Sequence, residues 1–229
     1  MHMFCFQCQE TSEGRGCTFG GHCGKSEEVA NYQDLLLFAL KGLAEVVTRS
    51  ECDDAQVQEV AELVYESLFM TITNTNFDEE RINAMTEKLL AQKRALLGRG
   101  HTADGLSDNA RWDSLSRDGY ATKAYSVGVL LTADVEVRAL RETILYGLKG
   151  IAAYAHHAGI LGTRDAALDR STLQTLATLI HESDVDALFD LALATGQNNL
   201  KAMAMLDETH RTRYGDPVPR QLALGTRDR

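Results

Sequence analysis

"LLFALKGLA" at residues 36–44 returns as "ILYGLKGIA" at residues 144–152, an offset of 108. Leu37, Leu40, Lys41, Gly42 and Ala44 recur as Leu145, Leu148, Lys149, Gly150 and Ala152. The remaining pairs are chemically close: Leu/Ile, Phe/Tyr, Ala/Gly and Leu/Ile. Self-similarity of this kind marks a duplicated structural unit. Around the first copy, Leu36, Leu40, Leu43 and Val47 fall at the spacing of one helical face. A glycine inside such a pattern costs about 1 kcal/mol relative to alanine. Its presence at the same place in both copies points to close helix–helix approach.

Working outward, Ser26 is suited to cap the first helix, with Glu27 and Glu28 in its first turn. A second helix is predicted from Asp53 or Asp54, presenting Val57, Val60, Val64 and Leu68, until "TNTNF" at 73–77 breaks it. A third starts near Asp78, uses Ile82, Met85 and Leu89, and ends at Gly98 as a C′ glycine. Residues 99–119 are polar and glycine-bearing, and read as linker with one turn around Trp112. "YSVGVLL" at 125–131 is the one strand-like segment.

The second set has a helix from Asp134 to the His156–Gly159 region and another carrying Leu173, Leu176, Ala177 and Ile180. A third runs from Asp184 to Gly196, and a last one carries Leu200, Met203 and Leu206 to Gly215. "TGQNNL" at 195–200 looks like a loose counterpart of "TNTNF". Both prolines, Pro217 and Pro219, lie beyond, so no earlier helix meets a proline break. The predicted fold is all-α: two duplicated three- to four-helix up-and-down bundles behind a cysteine-rich coil. The expected division is 1–26 cysteine segment, 27–98 first bundle, 99–133 linker, 134–216 second bundle and 217–229 connection onward.

The chain has 229 residues and a net charge of −10, with no basic stripe. This argues against nucleic acid or an anionic membrane as partner. No basic-then-apolar leader opens the sequence and no apolar run is long enough to span a bilayer, so a cytoplasmic location is expected. Thiols there stay reduced, and clustered cysteines more often bind metal than pair.

Four of the five cysteines, Cys5, Cys8, Cys17 and Cys23, lie in "CFQCQETSEGRGCTFGGHC", before the first helix. The spacing C-x2-C-x8-C-x5-C lets the first two sulfurs face one centre while the longer loops wrap round with the others. Neighbouring glycines ease that wrapping and let N–H groups approach sulfur. Three groups stay open on spacing. Zinc takes four thiolates, but usually from two tight C-x2-4-C pairs. Disulfides need an oxidising compartment. An iron–sulfur cluster tolerates irregular spacing. Cys52 reads as a semi-buried thiol outside the cluster.

"MFCFQCQE", "TITNTNFD", "ILYGLKGIAAYA" and "TGQNNLKAMAMLDETHRTRYGDPVP" resemble the hybrid cluster (prismane, hydroxylamine reductase) family, over essentially the whole chain. The resemblance implies a 4Fe-4S cluster on Cys5, Cys8, Cys17 and Cys23 as both cofactor-binding and metal ligands, with no catalytic residue here. It implies an oxidoreductase reducing hydroxylamine to ammonia, or nitric oxide to nitrous oxide, served by an external electron donor protein. Family members are about twice this length. Their hybrid iron–sulfur–oxo cluster sits in later α/β domains, so this chain corresponds to the N-terminal helical part and is not catalytically complete. Two rival readings stand beside it: a stand-alone electron-transfer or redox-sensing module docking on a partner, and a zinc-stapled structural domain.

Other candidates read as structural. His156 and His157 are adjacent and point about 100° apart, so they do not readily share a metal. His181 and His210 sit near helix ends, and His22 is a spectator in the cysteine loop. Met70, Met85, Met203 and Met205 read as core filler. Asp53–Asp54 and Asp78–Glu79–Glu80 read as helix starts rather than catalytic pairs. No P-loop, Rossmann fingerprint, G-x-S-x-G or H-E-x-x-H occurs.

Overall fold

The computed structural model describes residues 3–8, 10–98, 105–223 and 225. Among them the regular structure is helical, as the all-α expectation holds: α1 (Glu27–Thr48), α2 (Asp54–Met70), α3 (Glu79–Leu97), α4 (Asp108–Arg111), α5 (Arg117–Ala124), α6 (Val135–Ile160), α7 (Ala166–His181) and α8 (Val185–Tyr214). Short 3-10 turns at Ser12–Gly14 and Val129–Leu131 and an isolated bridge between Cys5 and Cys17 accompany them. No helix among the described residues is long and apolar enough to cross a membrane.

Short polar side chains start the helices. Ser26 Oγ accepts from the Val29 N–H at 3.1 Å. Asp53 accepts from the Gln56 N–H at 2.8 Å while its own N–H donates to Gln56 Oε1 at 3.0 Å, a reciprocal capping box. Asp78, Asp134, Asp165 and Asp184 cap more simply, each side chain accepting from first-turn N–H groups. The acidic pairs thus serve helix starts. At the other end of α3, Gly98 follows the last residue with φ −65°, so this stop does not use the left-handed backbone.

The predicted face of α1 is fully buried, as are Val57, Val60, Val64 and Leu68 on α2 and Ile82, Met85 and Leu89 on α3. Helix α1 packs chiefly against α3 and α7, α2 against α6 and α7, and α6 along α8. The two helical sets therefore interlock through α1–α7 and α2–α6. The buried Tyr65 hydroxyl donates to Asp169 at 2.8 Å and ties α2 to α7.

The structure departs from the sequence reading in three places. The span read as linker carries α4 and α5, and α4 packs on α1. Buried Lys93 of α3 donates to the carbonyl of Asn109 at 3.3 Å and to that of Trp112, and so holds α4 in place. The strand-like segment ends in the 3-10 turn and meets no strand among the described residues. Finally, α8 runs unbroken through Gly196, where two helices were expected.

"TNTNF" is a loop, with Asn74 at φ +60°, whereas "TGQNNL" lies inside α8. The cause is where the polar side chains find partners. Thr195 Oγ1 donates to Leu191 O at 2.7 Å, Asn198 to Ser171 Oγ at 2.7 Å and Asn199 to Gly147 O at 3.0 Å. These bonds go to α8 itself or to neighbouring helices, so they do not compete with the helix ladder. The outer side of α8 leaves several apolar residues open, Val185, Phe189, Leu193, Leu200 and Met203 among charged neighbours. Met203 is 44% exposed, so it is not core filler, unlike Met70 and Met85.

Candidate metal centre

The cysteine loop is closed by its own backbone. Cys5 N–H donates to Cys17 O at 3.0 Å, and Cys17 N–H donates to Cys5 O at 2.8 Å. Between Cys8 and Cys17 the chain turns through Glu13 and Gly14, both at positive φ. Gly16 has φ +148°, and a Cβ there would lie 2.4 Å from the Phe4 ring, so only glycine closes this turn. Around Cys23, Gly21 N–H donates to Lys25 O at 2.8 Å and Gly24 N–H to Gly21 O at 2.9 Å.

The loop is docked by "TNTNF" and by α6. Thr73 Oγ1 donates to Gln7 O at 3.1 Å, and Gln33 of α1 donates to Asn76 O at 3.0 Å. Phe6 meets Tyr146 of α6 with ring centroids 6.3 Å apart. Met3, Cys17, Ala30 and Cys5 form a small core of their own.

Cys17 is buried, while Cys5, Cys8 and Cys23 are half-buried, and all are free thiols. The His22 backbone N–H holds the Cys17 thiol below its ordinary range, against the opposing effect of burial. The Ser12 backbone and the Thr11 hydroxyl, 3.7 Å from Cys17 Sγ, act in the same direction. Lys25 is 3% exposed, with Nζ 2.7 Å from Gln33 Oε1 and 3.9 Å from Cys5 Sγ. A cation and N–H donors facing sulfur favour thiolate, the form that binds metal. Among the described residues, Gln7 Oε1, next to Cys8, is buried and finds no hydrogen-bond partner.

The bridge pairs Cys5 with Cys17. Among the described residues, no three His, Cys, Asp or Glu side chains stand close enough to hold a metal ion. What fits a metal–sulfur group here is donor chemistry: free thiols, one of them held acidic, faced by a buried ammonium and backbone N–H groups. The sequence reading passed over Lys25, the basic residue two places after the last cysteine of the loop.

The other candidates lie elsewhere. Cys52 packs half-buried on the helical core rather than in the small core of the loop. His22 is exposed, and its backbone rather than its ring serves Cys17. His156 and His157 both pack on Phe69. His181 does not simply face water: its Nε2 lies 3.3 Å from Oε1 of the buried Glu45. Burial pushes the Glu45 carboxyl up, but hydrogen bonds from Ser107 and His181 and the charge of Arg49 bring it below its ordinary value. The sequence reading also missed Asp34 and Lys41 on α1 and Glu142 and Lys149 on α6. The signal was charge inside otherwise apolar helix stretches.

The family model of the Prismane/CO dehydrogenase family matches residues 3–229. A hydroxylamine reductase of Acetivibrio thermocellus is 45% identical over 228 residues, covering 99% of this chain and 42% of that protein. One from Desulfitobacterium hafniense is 42% identical over 234 residues, covering 100% of this chain and 43% of its own length. One from Nitratidesulfovibrio vulgaris is 40% identical over 233 residues, with 97% and 42% covered. The chain thus spans less than half the length of these curated relatives.

Proposed function

This chain belongs to the Prismane/CO dehydrogenase family, and we propose that it is the electron-entry part of an iron–sulfur oxidoreductase of the hydroxylamine reductase type. In this reading Cys5, Cys8, Cys17 and Cys23 hold a 4Fe-4S cluster. The observation that carries it is the Cys5–Cys17 bridge with Lys25, Thr11 and the His22 N–H directed at its sulfurs. The spacing supports iron–sulfur over paired zinc knuckles.

The bound cluster supplies reversible one-electron transfer. The residues of this chain set the conditions. The backbone N–H groups, Thr11 and the charge of Lys25 stabilise negative charge on Cys17. Met3, Phe4 and Phe6 keep water from one side of the loop. The reduction itself, of hydroxylamine to ammonia or of nitric oxide to nitrous oxide, is assigned to a hybrid cluster on parts of such proteins outside this span. Both reactions take up electrons and protons in equal number. An external protein is the proposed electron donor.

An apolar stripe on α8 supports a further protein surface packing here. Val185, Phe189, Leu193 and Leu200 are 38–66% exposed along one helix. The same stripe favours a second reading, an electron-transfer or redox-sensing module docking on a separate partner. The two readings share the cluster and differ in what covers α8.

The test is a turnover assay on the purified chain, prepared without air and supplied with a reduced dye. The expected result is a centre that is reduced and reoxidised without hydroxylamine consumption. Steady hydroxylamine consumption by this chain alone overturns the placement of the reducing site elsewhere.

A further inference from the structure

Beneath the cysteine loop, α1 and α6 each place one acid and one lysine between the helices, Lys149 buried and Asp34, Lys41 and Glu142 half-buried. Asp34 and Lys41 are seven residues apart, on one face of α1. Glu142 and Lys149 have the same spacing on α6 and sit at the same offset of 108 that relates the two Lys-Gly segments. The charges act on one another. Asp34 feels Glu142, Lys149, Lys25 and Lys41, while Lys41 feels Glu142, Arg141 and Asp34. Glu142 feels both Lys41 and Lys149.

The two carboxyls form a partition. Together with Lys41, Gly128, Thr132 and Arg138 they line a cavity of about 180 Å³. They also line a space of about 20 Å³ shared with Cys5, Phe6 and Lys149, against the cysteine loop. The larger cavity has a mixed lining, apolar residues beside the charged Asp34, Lys41, Arg138, Arg141 and Glu142, and has room for several waters at about 30 Å³ each. Gly128 closes it over Asp34: its φ is +150°, and a Cβ there would lie 3.0 Å from Asp34 Oδ2.

The fully buried acids Glu45 and Asp169 are tied down. Glu45 is held by Ser107, His181 and Arg49, and Asp169 by Tyr65. Asp34 and Glu142 act on one another and on the neighbouring lysines through their charges. The nearby arginines are engaged, Arg138 with Thr132 O at 2.9 Å and Arg141 with Glu182 O at 3.0 Å. Lys149 donates to Thr71 O at 3.1 Å, and Tyr146 stands beside it on α6, facing the loop. Burial pushes Asp34 up to about 7 and Glu142 upward, the neighbouring carboxylate adding to the effect on Asp34. Burial also brings Lys149 down to about 8 and lowers Lys41. The acids are thus shifted up and the lysines down, each group acting on the others through its charge.

We propose that this quartet is a redox-linked proton site: when the centre on the cysteines gains one electron from a one-electron reductant, the Asp34–Glu142 pair takes up one proton from the adjoining cavity. One O–H bond forms at a carboxyl oxygen, and no bond to sulfur breaks. The added electron raises proton affinity nearby because charge is poorly screened in the interior. The net charge of the region is then unchanged. A module of this kind delivers protons and electrons together, as the proposed reaction requires.

This inference rests on the cysteines holding an iron–sulfur cluster, so the test begins with iron and sulfide analysis of the anaerobic chain. Absence of iron removes the cluster reading and this proposal together. With the cluster present, its midpoint potential is measured against pH with redox dyes, over roughly pH 6 to 9. The potential is expected to be flat below about 7, where Asp34 already carries its proton. Above that it should fall by about 59 mV per pH unit, the one-electron equivalent of a tenfold change. Asp34→Asn or Glu142→Gln should flatten the slope while iron content stays the same. Infrared difference spectra should gain a protonated-carboxyl band on reduction, lost in Asp34→Asn. A pH-independent potential with an intact cluster, or a slope that survives in both variants, overturns the proposal and leaves the cluster reading standing.

Discussion

Helices α1 and α6 carry nearly the same Lys-Gly segment, yet the glycine notch receives different things. At Gly42 the visitor is backbone: a Cβ would lie 2.0 Å from Asn109 O. At Gly150 it is a side chain: a Cβ would lie 2.8 Å from Asn199 Nδ2. In both, the visiting asparagine donates its amide to a carbonyl of the notched helix, Phe38 O at 3.1 Å and Gly147 O at 3.0 Å. The partner elements differ, four-residue α4 in one case and thirty-residue α8 in the other. A repeated segment therefore fixes the shape of a helix face, while the element that fills it is set by the rest of the chain.

The sharpest way to break this comparison is to fill both notches. Gly42→Ala pushes against backbone, which cannot swing aside, and is expected to cost about 3 kcal/mol. Gly150→Ala meets the end of a flexible side chain and gains about 1 kcal/mol of helix propensity, so it should be close to neutral. Urea unfolding of the two variants checks this. Equal losses would mean that the two notches are equivalent.

Next in size is the clamp behind the first notch. Lys93→Met leaves the carbonyls of Asn109 in α4 and of Trp112 just after it without their buried donor and should cost about 2 kcal/mol. Combined with Gly42→Ala, its effect should fall short of the sum, since both loosen α4. Full additivity in the double-variant cycle would detach Lys93 from the notch.

A pH-dependent effect follows from the half-buried acids between α1 and α6. Asp34 is raised from 3.8 to about 7 in the folded chain. The folded state therefore binds more protons than the unfolded state between these values, and stability falls as pH rises through that window. Asp34→Asn should flatten this fall and be more stable than the parent at pH 8, with the gap closing toward pH 4. Melting temperatures across pH read the effect, and an unchanged profile would place Asp34 outside the coupled set. Smallest is the Asp53→Ala cap, at about 1 kcal/mol.

Much of this architecture was legible because it rests on short-range chemistry. Apolar spacing located the buried faces of α1, α2 and α3, and Ser26, Asp53 and Asp78 announced their starts. What escaped was tertiary. Lys93 recruits a polar stretch into α4, which no local pattern records. Asn198 and Asn199 look like loop residues until Ser171 and Gly147 O appear as their partners. At the candidate site, the cysteine spacing picked out the candidate sulfurs, but Lys25 meets Cys5 and Gln33 only when the loop folds onto α1, and the Asp34–Glu142 pair depends on helices brought together from 108 residues apart.

The most direct measurement of the central claim is metal and sulfide content of the chain purified without air, with its visible spectrum. About four iron and four acid-labile sulfide per chain, in a brown protein that loses them when Cys17 becomes serine, is the predicted result. A colourless protein with about one zinc and no sulfide would contradict it.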